Sequence, residues 1–257
     1  MTCDTLLAFH ATSVTLMKTL HFLAIVLIAG LVAGLVHGLA NIIIVEPYLD
    51  TAIGIENQRL FASGEAKDTP QFWQKFSDYR IWQKQGSIVA GAILGIATGA
   101  LFGLVFAYSR HILPTQNDTT KSLVLAGIMW ATLFFIPFLK YPANPPTVGD
   151  PSTIVLRTSL YIAFLALSGL GALGFSRLYK KMHSKRFLAF LGYGAFITVI
   201  FFVMPPYPDK ITISMDLING FRTVSVITMT IYWLANAVIL GLLWQRFQPH
   251  ITREQVQ

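Results

Sequence analysis

Six apolar runs, each near the length of a bilayer-crossing helix, constrain this chain more than any other feature. They are Leu20–Val45, Ser87–Tyr108, Leu123–Leu139, Ile154–Phe175, Phe187–Met204 and Val224–Trp244. About 20 residues at 1.5 Å per residue carry a helix across the ~30 Å hydrocarbon core. Backbone groups in lipid must bond within their own segment, and the two-residue alternation of a barrel strand is absent, so the runs read as helices. Charge agrees. Only 12% of residues are Asp, Glu, Lys or Arg, about half the share of an ordinary soluble domain. So few charges cannot cover a soluble globule, and the mean hydropathy is +0.59. The expectation is an all-α, polytopic membrane protein: one membrane domain over 1–257 with six spans and an extracytoplasmic loop at 46–86.

Met17-Lys18 before the first run reads as a signal anchor retained as the first span, with Met1 or Met17 as the start. The single cysteine, Cys3, excludes an internal disulfide and a cysteine-built metal cluster.

Orientation follows from the loops. Six spans put both termini on one side, with Lys18, Arg110, Lys121, Arg177, Lys180, Lys181, Lys185, Arg186, Arg246 and Arg253 against Asp4, Asp118 and Glu254. Ten minus three is +7, the formal net charge of the whole chain. The densest cluster, RLYKKMHSKR at 177–186, lies in a short loop, where the positive-inside rule is most reliable. Both termini therefore read as cytoplasmic, in the cell membrane. The basic balance reflects topology and anionic lipid, not nucleic-acid binding.

The second half repeats itself. FFIPFLKYPANPPTVGDPSTIVLRT (134–158) is answered by FFVMPPYPDKITISMDLINGFRT (201–223). Phe134-Phe135 matches Phe201-Phe202, Pro145-Pro146 matches Pro205-Pro206, and Arg157-Thr158 matches Arg222-Thr223. With Pro142, these prolines break two helical hairpins, a parallel repeat, at the same end. Spans interrupted at matching positions of two repeats point to a transporter site, although prolines also simply end helices at a membrane surface. Arg157 and Arg222 either anchor helix starts or pair with Asp150 and Asp216.

Glycine patterns predict packing. Gly30, Gly34 and Gly38 recur every four residues in the first run; Gly91, Gly95, Gly99 and Gly103 do so in the second. Each stripe admits a close neighbour, and each is the other's natural partner. His37 and Asn41 flank the first stripe, one turn apart. Tyr232 and Asn236 are likewise one turn apart in the last run, where a buried amide needs a partner. The segment from Phe72 to Trp82 spaces aromatics like an interfacial helix, after a break at Gly64 and Pro70 and before the second run. The first helix is expected to end at VEPYLD, residues 45–50.

No Gly-rich phosphate loop, HExxH or Ser-His-Asp spacing occurs, and the runs hold almost no carboxylates or lysines, so an enzyme is not expected. Nitrogen and oxygen donors instead gather toward one end: His37 and Asn41 within the first run, then Glu46, Asn144, Asp150 and Asp209. Imidazole with carboxylate or amide oxygens suits a divalent first-row ion. Carboxylates also flank spans merely because loops are wet, and a buried histidine is often only hydrogen-bonded to its neighbour.

PFLKYPANPPTVGDPSTIVLRT, the later MPPYPD with a following FR, and VEPYLD closely resemble the CbtA family, described as a predicted cobalt transporter subunit. The resemblance covers about Leu20 to Trp244. It implies a small permease-like subunit for uptake of cobalt or a similar divalent ion, linked to cobalamin supply. Co²⁺ is then the transported ion, with no cofactor bound permanently. A small one-span His-rich subunit is the implied companion. This chain has no such tail; its six histidines are scattered. A non-conducting partner that assembles or regulates another transporter is the alternative, with the glycine faces as its docking surface.

Overall fold

The structure, a computed structural model, describes residues 3–113, 115–182 and 185–247, with side chains from residue 19 onward. The side chains of Cys3, Asp4, Met17 and Lys18, and all of Ser184, Arg253 and Glu254, lie outside the described residues. Every regular element described is helical. In order these are α1 (Cys3–Ala40), a π turn (Asn41–Val45), α2 (Glu46–Ser63), α3 (Pro70–Ser109), α4 (Asp118–Trp130), a second π turn (Ala131–Phe135), α5 (Ile136–Lys140), a 3₁₀ turn (Pro151–Thr153), α6 (Ile154–Lys181), α7 (Phe187–Val203) and α8 (Met215–Phe247). Among the described residues, five continuous helical stretches are long and apolar enough to cross a membrane: Thr19–Ser63, Pro70–Ser109, Asp118–Lys140, Pro151–Lys181 and Met215–Phe247. The apolar α7 is shorter, at 17 residues, and sits at the lower limit of a spanning helix.

Two boundaries differ from the expectation, for related reasons. Pro47 does not end the first helix. The chain widens into the π turn Asn41–Val45, and Pro47 falls in the first turn of α2. A proline ring clashes with the carbonyl four residues earlier and donates no hydrogen bond; a wide turn relieves the clash while the helix axis continues. The same device recurs at Ala131–Phe135, ahead of Pro137. The segment 46–86 is accordingly mostly helical. It is α2, a short connection, and the first part of an α3 that runs unbroken through Gly86. Gly64 makes the connection: its φ of 79° lies in the left-handed region, and its N–H bonds Phe61 O. Phe61, Phe72, Trp73 and Phe76 close the hairpin as an aromatic cluster with centroids 5.0–6.1 Å apart.

The chain forms two compact units: Met1–Ile42, Ile81–Gly127 and Met229–Gln257 in the first; Ile43–Arg80 and Ile128–Thr228 in the second. In the first unit the two glycine stripes meet as expected. A Cβ on Gly95 would stand 2.6 Å from Gly34 Cα, and one on Gly99 would stand 2.5 Å from Gly30 Cα. Backbone meets backbone there, with no side chain able to yield. Aromatic packing completes the unit, Trp244 lying edge-on to Phe22 and Phe106, and Trp233 edge-on to Phe102.

The second unit holds the repeat. Helices stop at Lys140 and Val203, and the non-helical segments 141–150 and 204–214 coincide with the two proline clusters. Phe164, fully buried, centres an apolar cluster with Tyr141 and Ile200. Ser168 Oγ donates to Thr132 O in the second π turn at 2.6 Å, satisfying a carbonyl within a widened turn where water is scarce.

Candidate functional site

A buried polar cluster crosses the first unit. His37, on α1, is 7% exposed. Its Nε2 lies 3.1 Å from Asn41 Nδ2. The amide nitrogen is placed to donate and Nε2 to accept. The His37 ring stands edge-on to Tyr232 of α8, centroids 5.8 Å apart. The Tyr232 hydroxyl bonds the Thr98 hydroxyl of α3. One turn beyond Tyr232, Asn236 is 1% exposed, and neither its Nδ2 nor its Oδ1 has a hydrogen-bond partner. Leaving a buried polar group unpaired costs about 1–3 kcal/mol, so this amide is a burden that packing alone does not justify.

Three arginines organise the second unit. Arg80 Nη2 bonds Glu46 Oε2 at 2.5 Å and Asp50 Oδ1 at 2.8 Å, tying α2 to α3. Arg157 Nε pairs with Asp209 Oδ2 at 3.0 Å. Its Nη1 donates to Tyr207 Oη at 3.1 Å and its Nη2 to Asp150 O at 3.3 Å. Thr153 Oγ1 lies 2.9 Å from both oxygens of Asp209. Gly149 makes room for this pair. With φ of 110° it leaves the backbone open where a Cβ would sit 2.6 Å from Arg157 Nη1 and 2.7 Å from Asp209 Oδ2. Arg222 Nε and Nη2 both donate to Asn144 Oδ1, at 3.1 and 2.8 Å.

Of the two alternatives for these arginines, pairing with the Asp150 and Asp216 carboxylates is not the one observed. Each arginine crosses to the loop of the other hairpin, Arg157 to Asp209 and Arg222 to Asn144. Arg157 reaches Asp150 only through its carbonyl. The Asp150 carboxylate instead accepts from Ser152 N at 2.7 Å and opens the 3₁₀ turn. Bonds from Ser152 come first and the Arg157 charge after them in holding the Asp150 carboxyl below the usual carboxylate range. Tyr141 Oη donates to Pro205 O at 2.6 Å, a third crossing, and burial pushes its phenol up. Pro145 is fully buried, Pro142 half-buried, and Pro146, Pro205 and Pro206 exposed.

The sequence-derived donors thus separate. His37 and Asn41 pair with each other. Glu46 and Asp209 face arginines, Asp150 caps a turn, and Asn144 accepts from Arg222. Among the described residues no three of His, Cys, Asp and Glu come together as a metal-holding group.

A family model described as "probable cobalt transporter subunit (CbtA)" matches residues 19–245. The chain belongs to the CbtA family. No curated protein and no solved structure matches it. Membership and the apolar helices together make this CbtA chain a multi-pass membrane protein in a metal-ion transport context.

Sequence reasoning left Arg80 and Thr98 outside the candidate set. Arg80 sits among aromatics in a segment read as interfacial, so nothing local marked it as the partner of Glu46. Thr98 had a faint signal, as a hydroxyl inside the glycine-rich run.

Proposed function

We propose that this chain carries Co²⁺, or a divalent ion of similar size, inward across the cell membrane, with both termini cytoplasmic. His37, Asn41, Tyr232 and Asn236 lie on the ion's route. The observation that carries this reading is the unpaired, fully buried Asn236 amide, one turn from a tyrosine packed against the His37 imidazole. Imidazole nitrogen with amide and phenol oxygens is a donor set suited to a late first-row divalent ion. Their neutrality lets such an ion leave again. Glu46, Asn144, Asp150 and Asp209 act in this reading by holding the helical hairpin and the proline loops, since arginines or caps engage them. Cobalamin synthesis is the proposed consumer, through the family's cobalt association, and a His-rich subunit the proposed companion.

The reading as a non-conducting partner drew on free glycine faces as docking surface. Those faces are occupied by each other, between α1 and α3, which removes that support.

Purified chain in liposomes loaded with a Co²⁺-quenched fluorophore tests the proposal. Wild type should show saturable quenching that His37→Ala reduces at least about tenfold, with equal reconstitution. An inert wild type favours the partner reading; an unaffected His37→Ala removes this residue from the route.

A further inference from the structure

The two crossed arginines of the repeat are not equally balanced. Arg157 receives the Asp209 carboxylate. Arg222, its counterpart in the second repeat, receives the neutral amide of Asn144 and forms no ion pair among the described residues. Because Nε and Nη2 both donate to one oxygen, the Asn144 amide must present Oδ1 to the guanidinium and turn Nδ2 away. Nδ2 is buried and has no acceptor. Among the described residues Arg222 donates only through Nε and Nη2, and the side chain is half-buried. One guanidinium charge therefore stands uncompensated by any carboxylate in a partly desolvated place, a situation that favours an anion.

Depth along the helix indicates where that anion comes from. The 33 residues of α8 span about 50 Å, roughly 20 Å more than the hydrocarbon core. Arg222 is seven residues past Met215, the helix start, or about 10 Å along it, and the apolar run begins at Val224. A centred helix therefore holds Arg222 at the edge of the hydrocarbon, the depth of lipid phosphates.

We propose that Arg222, positioned by Asn144, forms an oxyanion site that takes a phosphate group at the proline loops, supplying the charge that Asp209 supplies to Arg157. The phosphate belongs to a lipid headgroup or to a dissolved anion, and the chemistry of the site is the same for both. This site is independent of the ion route proposed above. It predicts that an internal carboxylate can replace the ligand: Asn144→Asp places a negative charge where the two N–H groups of Arg222 already converge.

The full chain, delipidated in a maltoside detergent that carries no phosphate, is titrated with sodium phosphate against sodium chloride of equal ionic strength, and separately with phosphatidylglycerol. The unfolding temperature is followed. Wild type should rise saturably with at least one titrant, by roughly 5–10 °C at a hundredfold excess over Kd. A response to phosphate identifies the dissolved source; a response to phosphatidylglycerol alone identifies the headgroup. Arg222→Gln should abolish the response. Asn144→Asp should raise the starting unfolding temperature and lose the response. The proposal is overturned if wild type responds to neither titrant beyond chloride, if Arg222→Gln responds as wild type does, or if Asn144→Asp is less stable than wild type.

Discussion

Asn236 concentrates the conflict between stability and function in a single side chain. Its amide sits buried inside the first unit with no partner among the described residues, and an apolar residue of similar size would remove that burden. Asn236→Leu should therefore raise the stability of the detergent-solubilised chain by about 1–3 kcal/mol while lowering Co²⁺ entry into liposomes. A variant that is more stable and still transports normally would make the amide a structural accident. The Arg157–Asp209 pair should behave in the opposite way. Asp209→Asn leaves a half-buried guanidinium without its carboxylate, and a loss of about 1–3 kcal/mol is expected, below the figure for a fully buried pair because Arg157 retains some solvent. Little further loss in the double variant Arg157→Gln/Asp209→Asn, read as a coupling in the cycle, identifies the pair as the cause. Asp150 contributes a pH dependence. Its folded carboxyl is held below its ordinary value by Ser152 and then Arg157, so its contribution is present above the ordinary carboxylate pKa and lost as pH falls through the lowered one. Asp150→Asn should flatten acid unfolding of the chain in that range. An unchanged acid limb would assign it to other carboxylates.

At the scale of elements, three devices of local chemistry decide how the helices run. Glycine every fourth residue lets α1 and α3 touch through their backbones. Gly95→Leu or Gly99→Leu should cost more than about 3 kcal/mol, the upper end for an overpacked core, because the obstructing atoms are Gly34 and Gly30 Cα. Monodisperse extraction of either variant at wild-type yield would contradict this interface. The π turns ahead of Pro47 and Pro137 keep two helices continuous across prolines. Proline clusters that do end helices, at 141–150 and 204–214, free backbone and side chains for the crossed bonds of Tyr141, Arg157 and Arg222. The difference is density: one proline can be absorbed by a widened turn, whereas several within a few residues remove too many donors for any helix to continue.

For the whole molecule the testable property is orientation. In the proposed orientation the connection after α6, rich in Lys and Arg near 177–186, is cytoplasmic and the proline loops lie outside. In intact cells Lys185→Cys, at an exposed position between α6 and α7, should resist a membrane-impermeant maleimide, and Ala143→Cys, exposed in the first proline loop, should react. The reverse labelling would put the proline loops inside and invert the direction proposed for the ion. Division into two units also bears on function, because the His37–Asn41 pair belongs to one and the crossed arginines to the other.

What the sequence determined by itself was everything governed by spacing along one helix or by the cost of polar groups in lipid. Six apolar runs dictate helices, since no other backbone satisfies itself there. Four-residue glycine repeats dictate a contact face, and the repeated prolines mark where helices stop. His37 with Asn41, and Tyr232 with Asn236, were legible because residues four apart share a face of the same helix. The tertiary structure alone decided which residues from different helices meet. Arg80 finds Glu46 across 34 positions, Arg157 finds Asp209 across 52, and Arg222 finds Asn144 across 78. A charge in sequence carries no address: Coulomb attraction is indifferent to chain separation, and the pairing is set by how close the packed helices bring each guanidinium to an oxygen. That same packing left Asn236 unpaired and gave Arg222 an amide in place of a carboxylate. In both cases the missing partner depends on where other helices are, which no local pattern records.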